Sequence, residues 1–289
     1  MTSTEARSID LPGCTVRVAE YGTPAGRPVI YCHGSPGAWR EAEAFDDAAR
    51  ETGVRIIAID RPGIGMRALS SQGRVRGWGP IVAAVADALE LEEFAVLGVS
   101  GGGPYALACA ATLPGRVTAA AVVSSPAPMD EALRELDPAG RKKRRALVVL
   151  RRLPILVPLM AARLTKLIAS QQGIDALVGQ MCEPDRERVA RDEELSAKLT
   201  ANIREAFARG SDGFATDMRL VFTQPWGFAL ADVAVPVQIW HGTADTNVPA
   251  CEARRLAAGL PHGRVHILPG VGHLAFVDYP EAILESLTS

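Results

Sequence analysis

Ser100 stands in Gly98-Val99-Ser100-Gly101-Gly102, a G-x-S-x-G run with an apolar segment (94–99) before it and a stretch of small residues (103–111) after it. A strand that turns sharply into a helix at such a serine lifts the hydroxyl above the sheet edge. Glycines two positions before and after let the chain pack against itself where a Cβ would clash. The helix starting behind the turn adds partial positive charge that favours a developing oxyanion. Other uses of a glycine-rich turn fit less well. A phosphate loop needs GxxxxGK[ST], and no lysine follows; a dinucleotide turn needs GxGxxG, which Gly98 and Gly101 do not supply. The chemistry that remains is attack of a serine oxygen on an acyl carbon.

A serine nucleophile needs a base, and the base needs an orienting acid. Five histidines are available: His33, His241, His262, His266 and His273. His33 lies in a Gly-rich loop ahead of the serine and suits a structural or loop role. His241 ends a strand, His262 sits in a polar turn and His266 lies within a strand. His273, in Pro269-Gly270-Val271-Gly272-His273-Leu274, follows the last predicted strand at the sheet edge where ligands bind, and is the expected base. Asp245 follows the strand 237–240 by a short turn and is the expected acid. Asp130 is a weaker alternative. Asp60 is expected to serve its own turn through an ion pair or loop hydrogen bonds, and Asp217 to anchor the helical segment without chemistry. For the oxyanion, two N–H groups must converge: Gly101 supplies one and Ser35, in His33-Gly34-Ser35-Pro36-Gly37, the other. Pro36 stiffens that loop and cannot donate. No metal-ligand spacing occurs, and neither metal nor organic cofactor is expected.

These residues need a scaffold that ends several strands at one edge. The apolar runs 29–32, 54–59, 94–99 and 117–123 are short, rich in Val and Ile, and alternate with helical periodicity, as at Ile81, Val82, Val85, Ala88 and Leu89. Parallel strands require crossover helices, so the pattern predicts a doubly wound, mostly parallel α/β sheet. A hairpin of 8–11 with 14–20 precedes it. After Ser125 helical periodicity takes over, and strand signals return at 235–240 and 264–268, with a closing helix at 280–287. The expected domains are a core of 1–125 and 227–289 and an inserted helical cap of 126–226.

Composition agrees with one large domain. The chain has 289 residues, 48% hydrophobic and 22% charged, with a formal net charge of −2, so nothing points to nucleic acid as a partner. Cys14, Cys32, Cys109, Cys182 and Cys251 show no CxxC spacing and read as reduced thiols. The first ten residues carry no apolar stretch, which makes a cytoplasmic location the expectation. Arg or Pro breaks every apolar run before spanning length, so no stable membrane insertion is expected. A small-molecule substrate is the expected partner; the oligomeric state is left open.

Arg141-Lys142-Lys143-Arg144-Arg145 opens a stretch without acids, interleaved with Leu147, Val149, Ile155 and Leu159. It reads either as a surface that touches anionic membranes or as a lid helix with a solvated basic face. Pro154 and Pro158, as helix breakers, favour the lid.

Taken together, His33-Gly34-Ser35-Pro36-Gly37, Asp60-Arg61-Pro62-Gly63-Ile64-Gly65, the Ser100 block, His241-Gly242-Thr243-Ala244-Asp245 and Gly272-His273 resemble the α/β-hydrolase superfamily over nearly the whole chain outside the cap. The order Ser100, Asp245, His273 is the order that resemblance implies. Relatives that open epoxides or displace halide carry Asp where this chain has Ser100, and epoxide openers place tyrosines in the cap, where this chain has none. The implied activity is therefore acyl transfer: hydrolysis of a carboxylic ester or thioester of a small hydrophobic substrate. The alternatives are a proline iminopeptidase-like aminopeptidase or amidase, whose acidic cap residues hold a substrate amine, and a slow-turnover ligand-binding protein. Cofactor-free haloperoxidases share the triad, and their perhydrolysis would be a side reaction of the same acyl-enzyme.

Overall fold

The computed structural model describes residues 5–61, 63–64, 73–129, 145 and 147–288. Eight strands form one sheet in the order β1-β2-β4-β3-β5-β6-β7-β8. β1 (Arg7–Leu11) and β2 (Cys14–Gly22) make the expected antiparallel hairpin, and β2 runs antiparallel to β4 (Val54–Ile59). From there every pairing is parallel, through β3 (Arg27–Cys32), β5 (Phe94–Val99), β6 (Val117–Val123), β7 (Val237–Gly242) and β8 (Gly263–Leu268). The doubly wound, mostly parallel sheet read from the sequence is the observed one.

Strand periodicity divides the core into two layers. In β3, Val29 and Tyr31 face a cluster with Phe45 and Phe276, while Ile30 and Cys32 face one with Trp78 and Leu107. Because both faces are covered at the centre of the sheet, β5 is apolar throughout and β3 over its last four residues, rather than alternating. The helix Trp78–Ala88 packs on the second layer through Ile81, Val82 and Val85, the helical spacing seen in the sequence.

After β3 the chain moves to one side to make β4, and then to the other side to make β5. The loops leaving β3 and β5 therefore diverge from adjacent strand ends and leave a crevice between them, the place where open α/β sheets bind ligands. Ser35 and Ser100 sit on those two loops.

Between β6 and β7 lie the helices Leu156–Ile168, Gln171–Val178, Glu183–Arg191, Glu193–Ala206 and Asp212–Phe222, and no strand among the described residues. This is the inserted helical block. It is tied to the sheet by buried aliphatics such as Ala161, Ile174 and Ile203, which join the first core layer. Pro158 does not interrupt its first long helix. It is the third residue of Leu156–Ile168, in the turn whose N–H groups have no intrahelical acceptor to lose. No helix among the described residues is long and apolar enough to cross a membrane.

Candidate active site

Ser100 follows β5 directly, in the left-handed region at φ +50°, and is 9% exposed. A non-glycine residue held there is strained, and only the surrounding packing keeps it so. That packing depends on glycine. A Cβ at Gly98 would meet the Gly102 carbonyl oxygen at 2.5 Å and the Gly103 Cα at 2.7 Å, and one at Gly102 would collide with the carbonyls of Cys32 and His33. The turn is thus pressed against the end of β3. Ser35 lands beside Gly101, its backbone nitrogen 3.4 Å from where a Gly101 Cβ would stand. The two amides named as oxyanion donors are neighbours.

His273 and Asp245 meet across 28 residues of chain. His273 Nδ1 lies 2.7 Å from Asp245 Oδ2. The other carboxylate oxygen accepts from the backbone N–H groups of Asn247, at 2.7 Å, and Val248, at 2.9 Å. Burial alone would raise the Asp245 pKa. The charge of His273 and hydrogen bonds from His241 and His273 outweigh it and hold the group below the usual carboxylate range. An ionised carboxylate can only accept, so the proton on this bond belongs to His273 Nδ1, and Nε2 is left as the basic nitrogen. His241, the strand-end histidine, lies 2.8 Å from the Val248 carbonyl through Nε2 and 3.5 Å from Asp245 Oδ2. It supports the acid from behind.

Ser100, Ser35 and His273 line one cavity of about 420 Å³, walled by Leu164, Leu177, Met181, Phe214 and Met218 of the insertion. The remaining sequence candidates fall elsewhere. His33 is fully buried, with Nδ1 2.9 Å from the Gly34 carbonyl; burial and the Arg61 charge hold it well below its usual pKa. His262 is exposed, and His266 stacks on Trp240 with ring centroids 4.0 Å apart. Asp60 accepts from Arg17 Nε at 2.7 Å and from the Trp39 N–H at 2.8 Å, so its ion pair reaches across the sheet rather than closing its own turn. Asp217 pairs with Arg61 at 2.6 Å and so anchors the insertion. Asp130 lies outside the described residues.

Two carboxylates that no motif marked hold the site's backbone. Glu41 accepts from the Gly34 N–H at 2.5 Å and from the Tyr31 hydroxyl at 2.8 Å, clamping the loop that carries Ser35. Burial pushes its pKa up, against those two donors and Arg61. Asp185, in the first turn of the helix Glu183–Arg191, accepts from the backbone N–H groups of His273 at 2.8 Å and Leu274 at 3.2 Å, and from the Cys182 thiol at 3.0 Å. The insertion thereby fixes the histidine loop. Asp185→Ala is expected to lower kcat by about 10²-fold, the cost of displacing the candidate base by about an ångström, with a smaller change in KM. Steady-state kinetics on Asp185→Ala and Asp185→Asn check this; equal kcat in all three proteins would leave Asp185 a purely structural residue.

Similarity to known proteins runs along the same elements. The sequence profile of the Alpha/beta hydrolase family matches residues 29–286. A pimeloyl-[acyl-carrier protein] methyl ester esterase of Aromatoleum aromaticum is 32% identical over 92 residues, which span 32% of this chain and only 37% of that protein. A 2-hydroxy-6-oxononadienedioate/2-hydroxy-6-oxononatrienedioate hydrolase of Cupriavidus pinatubonensis is 25% identical over 274 residues, covering 88% of this chain and 83% of the relative. Among solved structures, an alpha/beta hydrolase fold protein from Nakamurella multipartita superposes with a TM-score of 0.71 at 26% identity, covering 98% of each chain.

Proposed function

The chain belongs to the alpha/beta hydrolase family, and on that premise we propose that it is a serine esterase acting through an acyl-enzyme, with Ser100 as nucleophile, His273 as base and Asp245 as orienting acid. The observation that carries this reading is the 2.7 Å contact between His273 Nδ1 and Asp245 Oδ2, with His273 and Ser100 lining one cavity. His273 Nε2 takes the Ser100 proton as Oγ bonds to the substrate carbonyl carbon. Asp245 keeps the tautomer and stabilises the imidazolium. The oxyanion rests on the Gly101 and Ser35 N–H groups, each donor of this kind contributing about 3 kcal/mol. The proton then passes from His273 to the leaving oxygen or sulfur, and the C–O or C–S bond breaks. Water, deprotonated by the same nitrogen, repeats the attack and releases the acid.

The cavity wall narrows the substrate. Its lining is mostly aliphatic, aromatic and thioether groups, and it presents Glu41 and Glu252 but no Lys or Arg among the described residues. Such a wall favours a neutral, apolar acyl group and penalises an anionic one, because a buried charge without a partner is costly. The Cupriavidus relative is named for a dioate, and this chain is a poor host for a second carboxylate. Of the cap glutamates an aminopeptidase would need, Glu183, Glu187, Glu193 and Glu194 are exposed, Glu205 is paired with Arg17 at 2.6 Å, and none of these lines the cavity. The cavity's own Glu41 and Glu252 accept from the Gly34 N–H and Arg255, and Glu131 and Glu135 lie outside the described residues.

A panel of p-nitrophenyl and thioesters tests this. Neutral acyl groups of four to eight carbons are expected to exceed ω-carboxylated acyl groups of equal length by at least about 10-fold in kcat/KM, the order of effect of one uncompensated charge or polar group. Preference for the carboxylated series would sink the substrate assignment while leaving the serine mechanism standing.

A further inference from the structure

The outer face of the insertion's first long helix is not the polar face a solvent-facing helix carries. In Leu156–Ile168 the residues turned inward are Val157, Ala161 and Ile168, which are buried, and Leu164, which reaches the cavity. The exposed stripe of the same segment, at helical spacing, runs through Ile155, Leu159, Arg163, Lys166 and Leu167. Ile155 is 73% exposed, Leu159 63% and Leu153 51%, and together with Val149 and Leu167 these are the exposed large hydrophobics of the described residues. Large aliphatics scattered singly over a surface need no explanation; five within nineteen positions of one segment do.

Charge on this face has one sign. Arg145, Arg151, Arg152, Arg163 and Lys166 are all exposed, and residues 138–174 contain no Asp or Glu. The chain as a whole carries −2, so the positive charge is a local property of this face. Exposed aliphatics interleaved with arginine and lysine, with no acid between 138 and 174, are what a segment needs to sit in the headgroup layer of an anionic bilayer, its apolar side chains among the acyl chains and its cations on the lipid phosphates. An acidic protein partner would account for the cations but would leave Ile155 and Leu159 without a role. Pro158 and the helix bounds suit this use, since the helix is far too short to span and can lie in the surface plane.

We propose that the face formed by Val149, Leu153, Ile155 and Leu159 with Arg151 and Arg163 docks the enzyme on anionic lipid surfaces. Leu164, on the opposite side of the same helix, lines the cavity, so docking would hold the site one helix diameter, roughly 10 Å, from the lipid surface. Docking itself does not rest on Ser100 being the nucleophile. It is read by binding, without turnover, so either idea can fail while the other stands.

The test is co-sedimentation of the full chain with vesicles of phosphatidylcholine alone and of phosphatidylcholine with an equal amount of phosphatidylglycerol, at 0.05 and 0.5 M NaCl. The expected result is binding to the phosphatidylglycerol vesicles at low salt that is largely lost at high salt. Arg151→Gln/Arg163→Gln is expected to bind about 25-fold more weakly, at roughly fivefold per basic residue. Ile155→Ser/Leu159→Ser is expected to lose binding at unchanged charge. Both pairs lie on the exposed face, and their circular dichroism should match that of the wild type. Absence of wild-type binding, equal binding to both vesicle types, or unaltered binding in either double variant overturns the proposal. So does a wild-type chain that self-associates through this face and ignores vesicles.

Discussion

Ser100→Ala is expected to lower kcat on an activated acyl ester by about 10⁵-fold or more, the scale seen when the nucleophile is removed from a serine triad. The loss should be among the largest at this site, matched only by removal of His273, because it takes away the proposed nucleophile. Some acceleration over water should survive, since the Gly101 and Ser35 amides and the cavity remain to bind the carbonyl. Stability should hardly fall. The substitution removes one oxygen from a side chain that is 9% exposed and leaves the φ +50° turn in place. Labelling by a fluorophosphonate probe, strong in wild type and absent in Ser100→Ala, reports the same chemistry without a choice of substrate. It also separates an enzyme from a hydrolase-like binding protein: an unlabelled wild type with intact fold would favour the latter. A Ser100→Ala protein with full turnover would end the serine mechanism.

The second large effect concerns stability. Asp217→Ala is expected to destabilise the protein by about 3–5 kcal/mol, because it leaves the Arg61 guanidinium buried without its counter-charge. Both side chains are 1% exposed. Arg61 donates to both Asp217 oxygens, at 3.0 Å through Nε and 2.6 Å through Nη2, and two further N–H groups go to the carbonyls of His33 and Gly34. Burial works against the Arg61 charge, but Asp217 more than offsets it and holds the pKa above the ordinary guanidinium value. One pair thus joins three pieces: the loop after β4, the insertion helix Asp212–Phe222, and the loop that carries the Ser35 amide. In Asp217→Ala the thermal midpoint should drop on the order of 10 °C, and kcat should fall as the oxyanion loop loosens. Replacing both partners with apolar residues, as in Arg61→Met/Asp217→Leu, should recover part of the stability, since no orphan charge remains although the buried Tyr105 hydroxyl loses its acceptor. Recovery of kcat should be less complete, because the His33 and Gly34 carbonyls lose their donor. An Asp217→Ala chain that unfolds at the wild-type denaturant midpoint would show the pair to be dispensable.

The elements, and the residues proposed to react, were legible in the sequence for reasons that act over short distances. β3 and β5 announce themselves because strands buried on both faces must be largely apolar, and the turn at Ser100 does so because close backbone approach admits only glycine at 98 and 102. His273 and Asp245 follow strand ends, and strand ends of a parallel sheet share one edge. Asp60 shows where this kind of reasoning stops. Its turn was legible, but its partner, Arg17 on β2, depended on β2 lying beside β4.

What only the tertiary structure decided is which of many similar side chains meets which orphan group. Nothing local separates Asp185 from the other aspartates. It matters because packing of the insertion brings it under two unpaired N–H groups of the His273 loop, and Glu41 meets Gly34 by the same logic. The apolar outer stripe of Leu156–Ile168 was hidden for a related reason. Composition shows that Ile155 and Leu159 are hydrophobic, but only the packed helix shows that they face away from the core. Backbone conformation and burial periodicity are written in neighbouring residues, whereas the partner of a buried charge, or the direction of a helix face, is set by contacts between segments far apart in the chain.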